Sequence, residues 1–188
     1  MKRIKGWEGI TLNIARQLDT VSGDMITQDV KIVSILHQLS EDEVWNKPLE
    51  DVNLLTREIK WIYDEMPEGE LNEITYKGIT FKPRLTPSTM TFSQYVDVQN
   101  YIKDVNRYRG ELIATLFVPE NGKYGVGYDI SEFTGYVYDT VTLPQFKGFF
   151  LSSLECLRTL IPTSMKLLRK RNPKIWKEMK TLLCGLGL

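Results

Sequence analysis

Two stretches of this sequence share one layout, and that sharing constrains the fold more than any other feature. Thr91-Phe92-Ser93-Gln94-Tyr95-Val96-Asp97-Val98-Gln99 reads as the start of a helix. The apolar run Leu112-Ile113-Ala114-Thr115-Leu116-Phe117 begins twenty-one residues after Thr91 (112 − 91 = 21). Thr11-Leu12 opens a helix in the same way, and Ile32-Val33-Ser34-Ile35-Leu36 begins at the same separation (32 − 11 = 21). After each run a proline opens a third helix, Pro48 in the first and Pro144 in the second. Proline suits a first turn because the amide it lacks would have no partner there. The pattern predicts a mainly α fold with a small β-hairpin, built on a duplicated three-helix unit. The expected domains are a first helical repeat over 1–66, a hairpin linker over 67–90, a second repeat over 91–160 and a basic C-terminal helix pair over 161–188. A glycine- and tyrosine-rich arm, 120–142, interrupts the second repeat.

Local signals support each piece. Thr11 is a candidate N-cap, and Leu12, Ala15 and Leu18 recur at helical spacing. Ser22-Gly23-Asp24 breaks that helix, and the next starts near Asp24 or Thr27. It carries apolar residues over so much of its circumference, Val30 to Leu39, that it should be central in its group. Ser40-Glu41-Asp42-Glu43 is a capping box for a short helix, which Trp45 is expected to pack down. The helix after Pro48 should present Val52, Leu55, Ile59 and Ile62 and stop at Pro67. Ile74-Thr75-Tyr76 and Ile79-Thr80-Phe81 flank Lys77-Gly78, a hairpin in which Gly78 supplies the positive φ. Pro83 and Pro87 should then hold the chain extended to Thr89. In the second copy Gln94 is expected to reach back to cap Thr91. Phe92, Tyr95, Val98, Gln99 and Ile102 should face inward, and the apolar run should be a helix from Glu111 to Val118-Pro119. Leu143-Pro144 opens a strongly apolar helix through Phe146, Phe149, Phe150, Leu151, Leu154 and Leu157.

Formal charge sums to zero over the 188 residues, but it is unevenly spread. From Ile161 to the end, seven basic residues (Lys166, Arg169, Lys170, Arg171, Lys174, Lys177 and Lys180) face one acid, Glu178, giving 7 − 1 = +6. The first 160 residues therefore sum to −6. At helical spacing Lys166, Arg169, Lys170, Lys174 and Lys177 lie opposite Leu167, Leu168, Ile175, Met179 and Leu182. Such a segment can track phosphates, sit on an acidic protein surface, lie on a membrane surface, or simply be a solvated face. Cys156 and Cys184 are expected to be a reduced, buried pair, in keeping with cytosolic synthesis. The basic start lacks the apolar core of a signal peptide, and no run approaches the ~18 apolar residues of a membrane span.

Catalytic and metal chemistry find little to stand on. His37 is the one histidine and falls on the central apolar helix, where a structural role is expected. One His and two distant Cys offer no ligand spacing. The carboxylates of Glu41-Asp42-Glu43 are explained by the helix start they cap. Gly122-Lys123-Tyr124-Gly125-Val126-Gly127 has the wrong intervals for a phosphate loop. Asp19, Asp24 and Asp29 do not form a calcium loop. No catalytic residue, metal site or cofactor is expected. The candidate contact residues are Tyr124, Tyr128, Tyr136 and Tyr138 of the arm and Lys166, Arg169, Lys170, Arg171, Lys174, Lys177 and Lys180 of the tail.

The order of these features resembles a family of small proteins encoded by tailed bacteriophages of Bacteroides-type hosts, including crAss-like phages, among structural and tail-assembly genes. The features concerned are the helix over 24–39 followed by Ser40-Glu41-Asp42-Glu43-Val44 and Pro48-Leu49, and the hairpin over 74–81. Thr91-Phe92-Ser93-Gln94-Tyr95-Val96-Asp97, the run over 112–119, and Leu143-Pro144 leading to Phe149-Phe150 complete it. The resemblance covers about 11–157. It implies a non-enzymatic virion component, such as a head–tail connector or tail ring protein, or else a tail assembly chaperone. Implied partners are other copies in a ring, other tail or connector proteins, and DNA passing through a channel, with no membrane. The arm and the tail depart from the family pattern and suit subunit contacts. A DNA-contacting module acting through 166–180 is a further expectation.

Overall fold

The computed structural model describes residues 3–160. The tail cations and Cys184 lie outside them. The described chain forms eight α-helices and three short strands. The helices are α1 (Leu12–Leu18), α2 (Met25–His37), α3 (Glu41–Trp45), α4 (Leu49–Glu58), α5 (Phe92–Tyr101), α6 (Arg109–Leu116), α7 (Ile130–Thr140) and α8 (Leu143–Leu160). The strands are β1 (Ile74–Tyr76), β2 (Ile79–Pro83) and β3 (Phe117–Pro119). By contact the chain divides into two units. Of the described residues, the first holds those from 3 to 72 together with Tyr128–Phe149, and the second holds Glu73–Gly127 with 150–160.

In the first unit the helix starts are set by side-chain caps. Thr11 accepts from the Ile14 amide at 3.4 Å, and Asp24 accepts from the Thr27 amide at 2.9 Å. Ser40 and Glu43 close a full capping box: the Glu43 amide donates to Ser40 Oγ at 3.1 Å and the Ser40 amide to Glu43 Oε2 at 2.7 Å. Each satisfies donors that the helix cannot. Helix α2 ends at Gln38, which takes the left-handed conformation (φ 55°) so that the Leu39 amide can donate back to Ser34 O at 3.0 Å. The core gathers Ile4, Ile10, Ala15, Val30, Val33, Leu36, Val44 and Ile59, with Trp7 and Trp61 meeting edge to face at 5.5 Å.

Helix α7 belongs to this unit. The Leu12 amide donates to Val141 O at 2.9 Å, the Leu143 amide to Ile10 O at 2.7 Å, and Thr11 and Thr142 form an antiparallel bridge. The expected arm over 120–142 thus holds a helix in its second half. Asp129 caps it by accepting from the Glu132 amide at 3.0 Å, and Phe133 and Val137, one turn apart, are buried. Two further expectations fail here. Trp45 is exposed, because α3 is a five-residue helix whose one buried side chain is Val44. Helix α4 ends at Glu58 rather than running to Pro67, since Ile59 leaves helical geometry (ψ 6°) and a 3-10 turn, Lys60–Tyr63, follows.

The second unit is built on the hairpin. Lys77 (φ 48°) and Gly78 (φ 76°) both occupy the left-handed region, the pair of conformations that a two-residue turn needs to match strand twist. Ile74 stands opposite Phe81 and Tyr76 opposite Ile79, and β2 pairs on its other side with β3, Phe81 opposite Pro119. The apolar run from Leu112 was expected to be one helix to Pro119. Instead α6 stops at Leu116 and the chain turns extended (Phe117 ψ 122°) to complete the sheet. A run without a period fits either state, and pairing with β2 decides it. Helix α6 is buried at Arg109, Gly110 and Leu112 through Leu116, the pattern of a central helix. The expected extended segment gives way to a 3-10 turn over Pro87–Thr89.

Helix α5 starts at Thr91 as expected, with the Gln94 amide donating to Thr91 Oγ1 at 3.2 Å. Its inward face is the expected one in part: Val98 is buried and Tyr95, Gln99 and Ile102 are half-buried, but Phe92 is not and Gln94 is. Phe92 is 82% exposed, while Gln94 and Val98 are fully buried. Gln94 does not reach back to the cap: its Nε2 donates to Thr115 O on α6 at 2.8 Å. Phe92 precedes Gln94 by two positions and so falls on the far side of the helix.

Candidate functional site

Residues drawn from α5, α6 and the loop after β3 meet in one polar cluster in the second unit. The Tyr124 hydroxyl donates to Asp97 Oδ2 at 2.8 Å, and Tyr124 also hydrogen-bonds the Thr115 side chain. Thr115 is buried, and its carbonyl receives Gln94. Gln94 Oε1 is buried without a hydrogen-bond partner. Beside this, the rings of Tyr101 and Tyr108 lie 5.4 Å apart, and the Arg107 guanidinium sits 5.3 Å over Tyr108. Burial raises the Tyr124 phenol above its ordinary value, and the Asp97 carboxylate adds to that while Thr115 opposes it. Burial likewise raises Tyr101, with Asp97, Glu111 and Tyr108 contributing. The Tyr124 phenol, neutral in the fold, acts as a hydrogen-bonding group. On the edge of the same unit Lys82 Nζ meets Glu120 Oε1 at 2.6 Å, which raises the lysine, and the Glu120 amide extends the β2–β3 pairing by donating to Thr80 O at 3.0 Å.

The four tyrosines singled out in the sequence do not form one surface. Tyr124 is tied to Asp97 as described. In the first unit, Tyr128 packs edge to face on Phe133 at 5.7 Å, and Tyr138 is buried with the Arg16 guanidinium 4.7 Å above its ring. Tyr136 is half-buried on α7. The seven tail cations, Lys166 to Lys180, fall outside the described residues. Asp97 and Gln94 were not anticipated as a cluster. The available signal was their spacing on α5, three apart and so neighbours on a helix.

His37 is buried on α2, with Nε2 3.3 Å from Leu55 O and Nδ1 4.0 Å from Glu58 Oε2. Its surroundings are those of a core side chain. Cys156 is exposed on α8, so the expected burial does not hold for it. Among the described residues no group of three or more His, Cys, Asp or Glu is placed to hold a metal ion. Among them, too, no helix is long and apolar enough to cross a membrane.

The outer side of α3 and α4 is of another kind. Trp45, Leu49 and Leu54 are exposed there, and α4 has no buried residue at all. Glu41, Asp42, Glu50 and Asp51, on the same two helices, are exposed as well. Glu43 is occupied by the capping box, and Glu58 pairs with Arg3 at 3.3 Å. This arrangement offers apolar contact within an acidic rim. Comparison with protein-family models, curated proteins and solved structures returned no match.

Proposed function

We propose that this protein is a non-enzymatic structural subunit of a tailed-phage virion, a head–tail connector or tail ring protein assembled as a symmetric oligomer. The observation that carries the reading is the order of elements: a capped helix into a central helix, a capping box, a proline-opened helix, a hairpin, and a second capped helix. That is the order on which the phage-family resemblance rests. Exposed large apolar side chains within an acidic rim on α3–α4, in a chain whose last 28 residues (188 − 160) carry +6, add support from charge and surface chemistry. Closed symmetry is the usual way in which such self-complementary surfaces are satisfied. The finer architecture proposed with it is an internal duplication, supported by the matching threonine caps at Thr11 and Thr91.

Proteomics of purified particles tests the role. A virion subunit is recovered at a constant copy number per particle. Its presence in infected cytoplasm with absence from mature particles would make it an assembly chaperone instead.

A further inference from the structure

We infer that the outer face of α3–α4 is the docking site for the basic tail, 161–188, of a neighbouring copy. The inference rests on the oligomeric reading above and deepens it by naming the two surfaces that meet. Trp45 is 55% exposed, Leu49 76% and Leu54 52%, a large apolar exposure for three neighbours on one short stretch. On α4 Leu54 points outward between Glu50 and Asp51, one turn before it, and Arg57 and Glu58, one turn after it. From Ser40 to Glu58 the chain holds six acids and two bases, 2 − 6 = −4, which is most of the −6 that balances the tail. Among the described residues Glu41, Asp42, Glu50 and Asp51 have no ion-pair partner.

The tail supplies the complement. Before the break at Asn172-Pro173, Lys166, Arg169 and Lys170 alternate at helical spacing with Leu167 and Leu168, and after it Lys174 and Lys177 alternate with Ile175 and Met179. An apolar stripe flanked by cations can cover Leu54 while its lysines reach Glu50 and Asp51 on the same side of α4. Charge sets the register and speeds association, and the desolvated apolar centre supplies most of the affinity. A tail passed from each copy to the next is a head-to-tail contact, which closes into a ring when the rotation allows.

Zero-length carbodiimide coupling on the full chain reads this contact directly, because it joins a lysine amine to a carboxylate only where they touch. Equal amounts of unlabelled and 15N-labelled protein are mixed before coupling. The expected links join Lys166–Lys180 to Glu41, Asp42, Glu50 or Asp51, about half of them between the two isotopes. Sedimentation then follows Lys174→Glu with Lys177→Glu, which should weaken assembly about tenfold or more, and Glu50→Lys with Asp51→Lys added to it, which should restore it. Leu54→Asp, on an exposed position, should weaken assembly while leaving the far-UV circular dichroism of the folded chain unchanged. Links confined to one isotope, links to other carboxylates, or assembly indifferent to these changes in an oligomeric wild type overturn the docking site and leave the ring standing. A monomeric wild type overturns both.

Discussion

Gly148 on α8 lies against the backbone of Gly69 so closely that a Cβ at position 148 would overlap the Gly69 carbonyl oxygen. The approach is held by two further contacts: the Gly69 amide donates to Pro144 O at 2.8 Å, and Lys147 Nζ donates to Met66 O at 2.6 Å. The strap over 66–69 is thus bound along the first turns of α8. Backbone cannot rotate away as a side chain can.

Gly148→Ala should therefore destabilise the protein by about 2 kcal/mol or more, against the usual gain from alanine in a helix. Gly135 in the interior of α7 is the control, since a Cβ there meets nothing within 4 Å. Gly135→Ala should stabilise by about 0.5–1 kcal/mol. Denaturant unfolding of the two variants checks the opposite signs.

Gln38 closes α2 in a left-handed conformation that glycine adopts without strain. Gln38→Gly should raise stability by roughly 0.5–1 kcal/mol, the left-handed penalty less the added chain entropy. A lower denaturation midpoint in the variant would mean that the Gln38 side chain contributes contacts outweighing its backbone strain.

The capping box of α3 gives an acid-side signature. The Ser40 amide, and then its hydroxyl, hold the Glu43 carboxyl below the usual range. A depressed folded value means that this contribution is present above the unfolded carboxyl value, about 4.3, and is lost as pH falls through the lower folded one. Ser40→Ala should cost about 1 kcal/mol at neutral pH. The difference between wild type and variant should shrink on acidification below pH of about 4, as read from parallel melts.

The alkaline side belongs to Tyr124. Its folded value is raised, so the neutral phenol is favoured in the fold. The corresponding stability is complete below the unfolded tyrosine value, about 10, and declines as pH rises above it. Absorbance at the phenolate band should show Tyr124 ionising late or only on unfolding. Tyr124→Phe should remove one late-titrating group, cost about 1 kcal/mol through the lost hydrogen bond to Asp97, and reduce the alkaline loss. Loss instead of a group titrating near the ordinary tyrosine value, about 10, would place the hydroxyl in solvent.

Much of this architecture could be read from the sequence where a local rule has no competitor. The caps Thr11, Asp24, Ser40 and Thr91 and the Lys77-Gly78 turn are all present. What could not be read depended on partners distant in the chain. The change from helix to strand after Leu116 needs β2 beside it. The burial of Gln94 rather than Phe92 needs the Thr115 carbonyl. Helix α7 was concealed by Gly135 and by tyrosines that favour strands, although Asp129 and Glu132 carried a capping signal. The acidic rim of α3–α4 was read as caps alone, because exposure of Trp45 and Leu54 is visible only once the core has been filled by other side chains.

Sedimentation velocity of the full chain, over micromolar concentrations and at low and high salt, bears most directly on the proposed role. A single assembly at a fixed multiple of 21.8 kDa, weakened but not abolished as salt rises, is the predicted result. A species of 21.8 kDa at every concentration and salt would contradict a ring-forming subunit.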